Sequence, residues 1–456
     1  MTVQPPFALT QALATFAATT LELPAAALEV AAQGLTDAAG LIVKARHEAV
    51  VHAVLQVHAP AGTSGPCSLL LGPGSAGPLD AAMVNGTAAH AFALDDVAWG
   101  CHPSAMLLPA LLAVGEMQDA SGAELLRAWV VGYEVLAELA SREPGSLHTT
   151  GWHPSGLLGP VAVAAAVAKL MRLDAASTLA ALSNAASMSG GVSANFGTTM
   201  KAVHVGQVAA AGVRACLLAR AGVAGSADVL ERARGLLATV SPSGAPDLQS
   251  PLGTSAQAPR LLSAGLSLKR YPLCYSLHRI ADAAIALAAT PGLVPEQITQ
   301  VRVELGVRQW QMAPHVQPAD GVQARYSAPF AVASGLLAGA ASFAQLEPAF
   351  YGSPGVRRLI ALTEIVPCEG ASPDDPVFSP ADRVQLHLAD GRVLDSGPVS
   401  HPRGHARHPL DAAQRRAKFL DCLAGSSVRD PQACHEMLSQ WGQLSSVREL
   451  HLAFGA

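Results

Sequence analysis

Up to about Leu266, apolar positions recur at helical intervals, and no run alternates with the period of two that marks a strand. Helices are predicted over residues 7–18, 25–58, 78–93, 103–119, 122–140, 154–170, 174–186 and 203–220. Pro109 and Gly159 fall inside two of these runs and read as kinks or points of close packing. Residues 62–77, rich in Gly, Ser and Pro, read as a loop, and 241–255 as a polar linker. After Lys269 the pattern changes. Residues 298–305 alternate strictly, as a half-buried strand does, and Ile365-Val366 is a short strand between helical stretches at 353–362 and earlier at 276–289 and 327–337. Two more strand-like runs, 383–388 and 392–394, flank Ala389-Asp390-Gly391, and Asp-Gly between alternating runs is a hairpin signal. Helical patterns return at 410–423 and 430–450. The expected fold is mostly α: a large helical domain (1–268), a smaller inserted α+β domain (269–403), and a helical tail (404–456) that rejoins the first.

Composition narrows the function classes. A chain of 456 residues exceeds a usual single core, which agrees with two domains. Half of the residues are hydrophobic and 14% charged, with alanine so common that helices must pack closely through small side chains. A net charge of −5, without any basic run, gives no electrostatic case for a nucleic-acid partner. The N-terminus lacks the basic start and apolar core of a secretory signal, and apolar runs such as 157–170 are too short to span a bilayer, so a cytoplasmic protein without a membrane partner is expected. Seven cysteines, an odd number without a CxxC pair, suit reduced thiols and argue against a zinc knuckle or an iron–sulfur cluster. No GxSxG surrounds a serine and no glycine fingerprint follows a strand, which leaves hydrolase and nucleotide-binding readings without support.

One tripeptide occurs twice. His102-Pro103-Ser104 and His153-Pro154-Ser155 each open a run of small and aliphatic residues. Proline is at home in the first helical turn, so each histidine should stand at a helix N-terminus, where free N–H groups favour an anion and disfavour a charged imidazolium. Lys201 and His204 follow a glycine-punctuated loop that can bring a cation and a third imidazole to the same place. Either copy alone reads equally as a helix cap. Two copies with a lysine in an apolar setting point to a site, because buried titratable groups are costly without a partner or a task.

In order and spacing, these motifs and others resemble one family. Asn85-Gly-Thr-Ala-Ala-His90 with Asp95-Asp96, His102-Pro-Ser104, Gly151-Trp-His-Pro154, Asn195-Phe-Gly197 with Lys201 and His204-Val-Gly206, Lys269-Arg-Tyr-Pro272 with His278, Ala324-Arg-Tyr-Ser327, and the tail from Gly404-His405 to Lys418-Phe419 are similar to the MmgE/PrpD family. That family includes 2-methylcitrate dehydratase, cis-aconitate decarboxylase and iminodisuccinate epimerase. The resemblance implies a helical domain built from both chain ends, an α/β lid between them, and a homodimer. It also implies an interdomain pocket for a small di- or tricarboxylate, with no metal or organic cofactor. By the same resemblance His102, His153, Lys201 and Lys269 match the active-site histidines and lysines of the decarboxylase branch, and Asp95, Asp96, Asn195, Tyr271, Cys274 and Tyr326 are candidates for substrate contact. The loop before His102 is one residue shorter than in that branch, and the chain departs from it in residue type in three places. An Asp-Phe-Asp-Asp run reads Ala93-Leu94-Asp95-Asp96, a histidine near the lid hinge is Cys274, and a tyrosine of a lid helix is Phe330.

The chemistry such residues carry is proton movement at a carbon beside a carboxylate, which needs a base of moderate pKa and cations for the enolate-like charge. A cofactor-independent lyase of hydratase or dehydratase type is expected, with His102 and His153 as acid and base and Lys201 and Lys269 as clamps. An epimerase of a dicarboxylate such as iminodisuccinate, needing two opposed bases, is the alternative, and a non-catalytic dimeric relative the third. His90, His204 and His278 read as structural. No metal is expected, because the histidines lack close ligand spacing in sequence.

Overall fold

The computed structural model describes residues 6–372 and 377–454. It has two hydrophobic cores, with Phe343 packed against both. One is built from residues between Leu9 and Leu268 together with Leu410 to Phe454, the other from residues between Tyr271 and Leu388. The chain is mostly α-helical.

The first core is a stack of helices whose contact faces are alanine and glycine. Leu9–Thr19, Ala25–Lys44, Pro78–His90, Pro103–Gln118, Gly122–Ser141, Pro154–Leu170, Ala175–Ala186 and Met200–Arg220 carry it. Pro109 and Pro160 both lie inside continuous helices. Ser121 and Glu124 form a reciprocal capping box that starts Gly122–Ser141. One crossing matters for the site. A Cβ on Gly86 would stand 2.9 Å from Gly206 Cα, so the helices Pro78–His90 and Met200–Arg220 touch backbone to backbone. That approach brings His90, at the end of one helix, to Lys201, at the start of the other. Ala25–His47 and Met200–Arg220 are long and apolar enough to cross a membrane, yet 56% and 72% of their apolar windows are buried inside the protein, as in core helices.

Several boundaries differ from those the sequence predicts. The run 25–58 is not one helix: it stops at Lys44, tightens into a turn at Ala45–His47 and restarts at Ala49–His58. Gly40, in its middle, is a contact point, where an added Cβ would lie 2.9 Å from the ring of Phe419. The loop 62–77 contains a small antiparallel pair, β1 (Cys67–Ser68) and β2 (Ser75–Ala76). The stretch 430–450 is broken into Pro431–Ser439, a turn at Trp441–Gln443 and Glu449–Phe454.

Around the second core lies a four-stranded sheet ordered β4-β3-β5-β6, with β3 Ile298–Gly306, β4 Thr363–Cys368, β5 Arg383–Leu388 and β6 Val393–Asp395. β3 pairs parallel with β4 and antiparallel with β5. Alternation in β3 puts Val301, Val303 and Leu305 on the buried face. Asp390-Gly391 turns β5 into β6, with Gly391 at φ 85°. The helices His278–Ala288, Ala328–Ala338 and Pro354–Leu362 complete this unit.

The tail returns to the helical stack. Lys418 Nζ reaches Asp37 Oδ1 at 2.7 Å and the Leu94 carbonyl at 2.8 Å, and Trp441 donates to Thr36 Oγ1 at 3.0 Å. Cys67, Cys101, Cys216, Cys274, Cys368, Cys422 and Cys434 are thiols, with no disulfide among the described residues.

Candidate active site

Both histidines of the repeated tripeptide are N-caps, with proline in the first turn of the helix that follows. The two starts are stitched together: the backbone N–H of His102 donates to Ser155 Oγ at 3.2 Å. Their rings lie 6.1 Å apart, centroid to centroid, on one cavity. Met200–Arg220 begins three residues before the predicted boundary, so Lys201 sits in its first turn, where the helix dipole disfavours a cation. A neighbouring imidazole compensates, for Lys201 Nζ donates to His90 Nε2 at 3.0 Å.

Asp95 is the hub on the other side. It is fully buried, with His90 Nδ1 at 2.8 Å from Oδ1, His102 Nδ1 at 2.9 Å from Oδ2 and Lys269 Nζ at 3.9 Å. Burial opposes its ionisation, but His90, Lys269 and His102 hold it well below the usual carboxylate range. Lys269 is also seated on the Ala93 carbonyl at 2.7 Å. Ala93 adopts the left-handed region, φ 53°, uncommon for a residue with a side chain. It is one of the three departures from the decarboxylase branch, and here its backbone holds a lysine.

Protonation follows from these contacts. His102 Nδ1 faces two acceptors, Asp95 and the Asp96 carbonyl at 3.0 Å, so it carries the proton and Nε2 is left for a ligand. Burial lowers His102 to about 4, with Asp95 pulling the other way. Among the described residues His153 has no carboxylate beside it. Burial, Lys201 and the neighbouring imidazoles hold it neutral, and its Nε2 is buried with no hydrogen-bond partner among the described residues. Burial and Lys269 lower Lys201 to about 8, still a cation at neutral pH. Among the described residues Lys201 has no carboxylate partner; Phe196 and Tyr326 rings lie 5.0 and 5.9 Å from Nζ. Among the described residues the buried site sets two ammonium groups against one carboxylate, which favours an anion.

The cavity, ≈ 50 Å³, is lined by His102, His148, His153, Phe196, Lys201, Lys269 and Cys274, among others. Gly100, His148 and Tyr275 also line a neighbouring outer chamber of ≈ 600 Å³. Not every predicted contact residue reaches the cavity. Asp96 is buried behind it, pushed up to about 7 by burial, and accepts the Ser104 N–H at 3.0 Å as a helix anchor. Tyr271 points elsewhere, its hydroxyl engaged with Asp282 and Arg403. Asn195 closes a turn through its carbonyl to Thr198, and Tyr326 stands behind Lys201. Cys274 lines the cavity, with Ser276 donating to its sulfur at 3.2 Å.

His90 is the residue sequence reasoning set aside. The signal was present, since it ends the Asn85–His90 motif five residues before Asp95, but only the crossing at Gly86 brings it to Lys201. The absence of ligand spacing in sequence was likewise no guide to space: ligand atoms of His90, His102 and His153 lie within 4.8 Å of one another. Two of these rings are committed to Asp95, and a divalent ion there would face the ammonium groups of Lys201 and Lys269, so the charges oppose a metal.

Comparison with known proteins points to one family. Cis-aconitate decarboxylase of Homo sapiens is 30% identical over 360 residues, covering 75% of this chain and 72% of that protein. The Mus musculus enzyme of that name is 29% identical over 370 residues, 77% of this chain and 73% of the other. The cis-aconitate decarboxylase-like protein oryM of Aspergillus oryzae is 28% identical over 352 residues, 72% of each. Residues 11–249 match the MmgE/PrpD N-terminal domain and 271–441 the MmgE/PrpD C-terminal domain, so the second match runs on into the tail that packs against the helical stack. The chain belongs to the MmgE/PrpD family.

Proposed function

We propose that this protein is a cofactor-independent lyase of the dehydratase or decarboxylase type, acting on a small di- or tricarboxylate by proton transfer at a carbon next to a carboxylate. The observation that carries this reading is Lys201: a buried ammonium on the cavity wall whose hydrogen-bond partner among the described residues is the imidazole of His90. A substrate carboxylate is the partner it lacks. With that group held, negative charge that develops on the adjacent carbon spreads into the carboxylate, and Lys201 and Lys269 stabilise it in a site that water cannot screen. His102 moves the proton through Nε2, since Asp95 stabilises the imidazolium that forms. The names of the relatives direct the first trial to cis-aconitate. In this reading the α/β unit acts as a lid over the small inner cavity of ≈ 50 Å³ and moves to admit the substrate. The homodimer is part of the same proposal, and sizing in solution tests it.

A second reading is favoured by one observation, the two imidazoles 6.1 Å apart on one cavity: an epimerase of a dicarboxylate, with His102 and His153 as opposed bases. Proton NMR in deuterated water separates the two. The lyase releases CO2 or water from cis-aconitate or a hydroxylated tricarboxylate. The epimerase exchanges a substrate C–H without net product. Lys201→Ala should raise KM and lower kcat, whereas Lys201→Arg should recover binding more than rate, since a planar fork places its donors differently. Kinetics of Lys201→Ala equal to those of the parent would overturn the carboxylate clamp.

A further inference from the structure

His204 takes no part in the scheme above, yet it makes the one polar side-chain contact that His153 has among the described residues: the two Nδ1 atoms lie 3.2 Å apart. We infer that His204 is a positioning residue, which accepts the proton-bearing Nδ1 of His153 and thereby keeps the cavity-side Nε2 of His153 an unprotonated base. The inference rests on the reading of His153 as a residue that meets substrate.

Two neutral imidazoles joined through their Nδ1 atoms can share one proton in only two ways. If His204 donates, His153 must carry its proton on Nε2, a buried atom that has no acceptor among the described residues. Orphaned buried N–H groups are rare, while an unused lone pair costs less, so the donor is His153. His204 then carries its own proton on Nε2. Both rings stay neutral, because burial and Lys201 hold His204 below its ordinary value as they do His153.

The surroundings fix the pair in place. His204 lies three residues after Lys201 on the same helix, so both side chains leave one face of it. Gly191 holds both partners. Its carbonyl accepts the His153 backbone N–H at 3.0 Å, and a side chain there would meet the His204 ring at 3.4 Å, in a backbone conformation, φ 126°, that favours glycine. On its other side the His153 ring meets Phe196 edge-on, centroids 5.1 Å apart, which leaves it little freedom to turn. The outcome is a base whose tautomer is set by an imidazole, where a carboxylate would have raised its pKa and charged it.

The test is nitrogen NMR of the full-length protein labelled at histidine, with His153 assigned from His153→Gln. In the parent, His153 should show a protonated Nδ1 and an unprotonated Nε2. His204→Leu should shift His153 toward the Nε2-protonated form and lower kcat roughly 10- to 100-fold with KM little changed. His204→Asn, which keeps a polar atom near the Nδ1 position, should restore a good part of both. An Nε2-protonated His153 in the parent, or a His153 signal unchanged in His204→Leu, overturns the inference. So does a changed tautomer with kcat unaltered. Because the NMR signals need no substrate, failure of the lyase reading would appear separately, as an intact tautomer preference in a protein that turns over none of the carboxylates.

Discussion

The two His-Pro-Ser helix starts are alike in sequence and local structure and differ in what stands behind the ring. Behind His102 is Asp95, a carboxylate at 2.9 Å; behind His153 is His204, an imidazole at 3.2 Å. A carboxylate lets a histidine take and return a proton, while an imidazole among cations keeps it neutral. Equal tripeptides thus produce unequal chemistry, and the inequality lies in what faces each ring: Asp95 in the loop just before His102, and His204 on a helix 51 residues beyond His153.

The largest effect expected from this asymmetry is on turnover. His102→Gln should lower kcat by roughly a hundredfold to ten-thousandfold with the fold intact, and His153→Gln by less. A larger loss at His153 would reverse the assignment of the proton carrier. Next is Asp95→Asn, which leaves Lys201 and Lys269 without their buried counter-charge. It should cost about 3–5 kcal/mol in denaturant unfolding, and a loss under about 1 kcal/mol would remove Asp95 as the hub.

Acid titration sharpens the contrast further. His102 and His153 are neutral in the folded state and ionise near 6.5 when unfolded, so their stabilising effect is present above that value and lost as pH falls below it. With His102 held at about 4, its share of the loss between pH 6.5 and 4 is about 3 kcal/mol. Asp96, raised to about 7, acts with the opposite sign and gains stability as pH falls. Thermal unfolding across this range should show a net fall, and His153→Gln should flatten it; a parallel curve would mean that His153 is not buried neutral. The smallest effect concerns the stitch between the two starts. Ser155→Ala removes the acceptor of the His102 N–H and should cost about 1 kcal/mol in unfolding free energy. Activity should fall only slightly if that bond merely aligns the helices.

Much of this was legible in the chain itself. The period of three to four up to Leu266 determined the helices, proline after each histidine determined two N-caps, and alternation with Asp-Gly determined β3, β5 and the hairpin, because local backbone preference and one-sided burial act over a few residues. Motif order carried the family and nominated His102, His153, Lys201 and Lys269, all four of which line the cavity. Tertiary structure alone decided the rest. Periodicity does not reveal that the apolar run 25–58 breaks at Ala45, that Tyr271 turns to Asp282 and Arg403, or that Asp96 anchors a helix while Asp95 beside it gathers His90, His102 and Lys269. Nor does it place His90 against Lys201, for that contact depends on Gly86 and Gly206 letting two backbones meet 120 residues apart along the chain. The physical reason is one of range: helix and turn energetics are local, whereas the charge state of a buried imidazole is set by whichever groups the packing puts within a few ångströms of it.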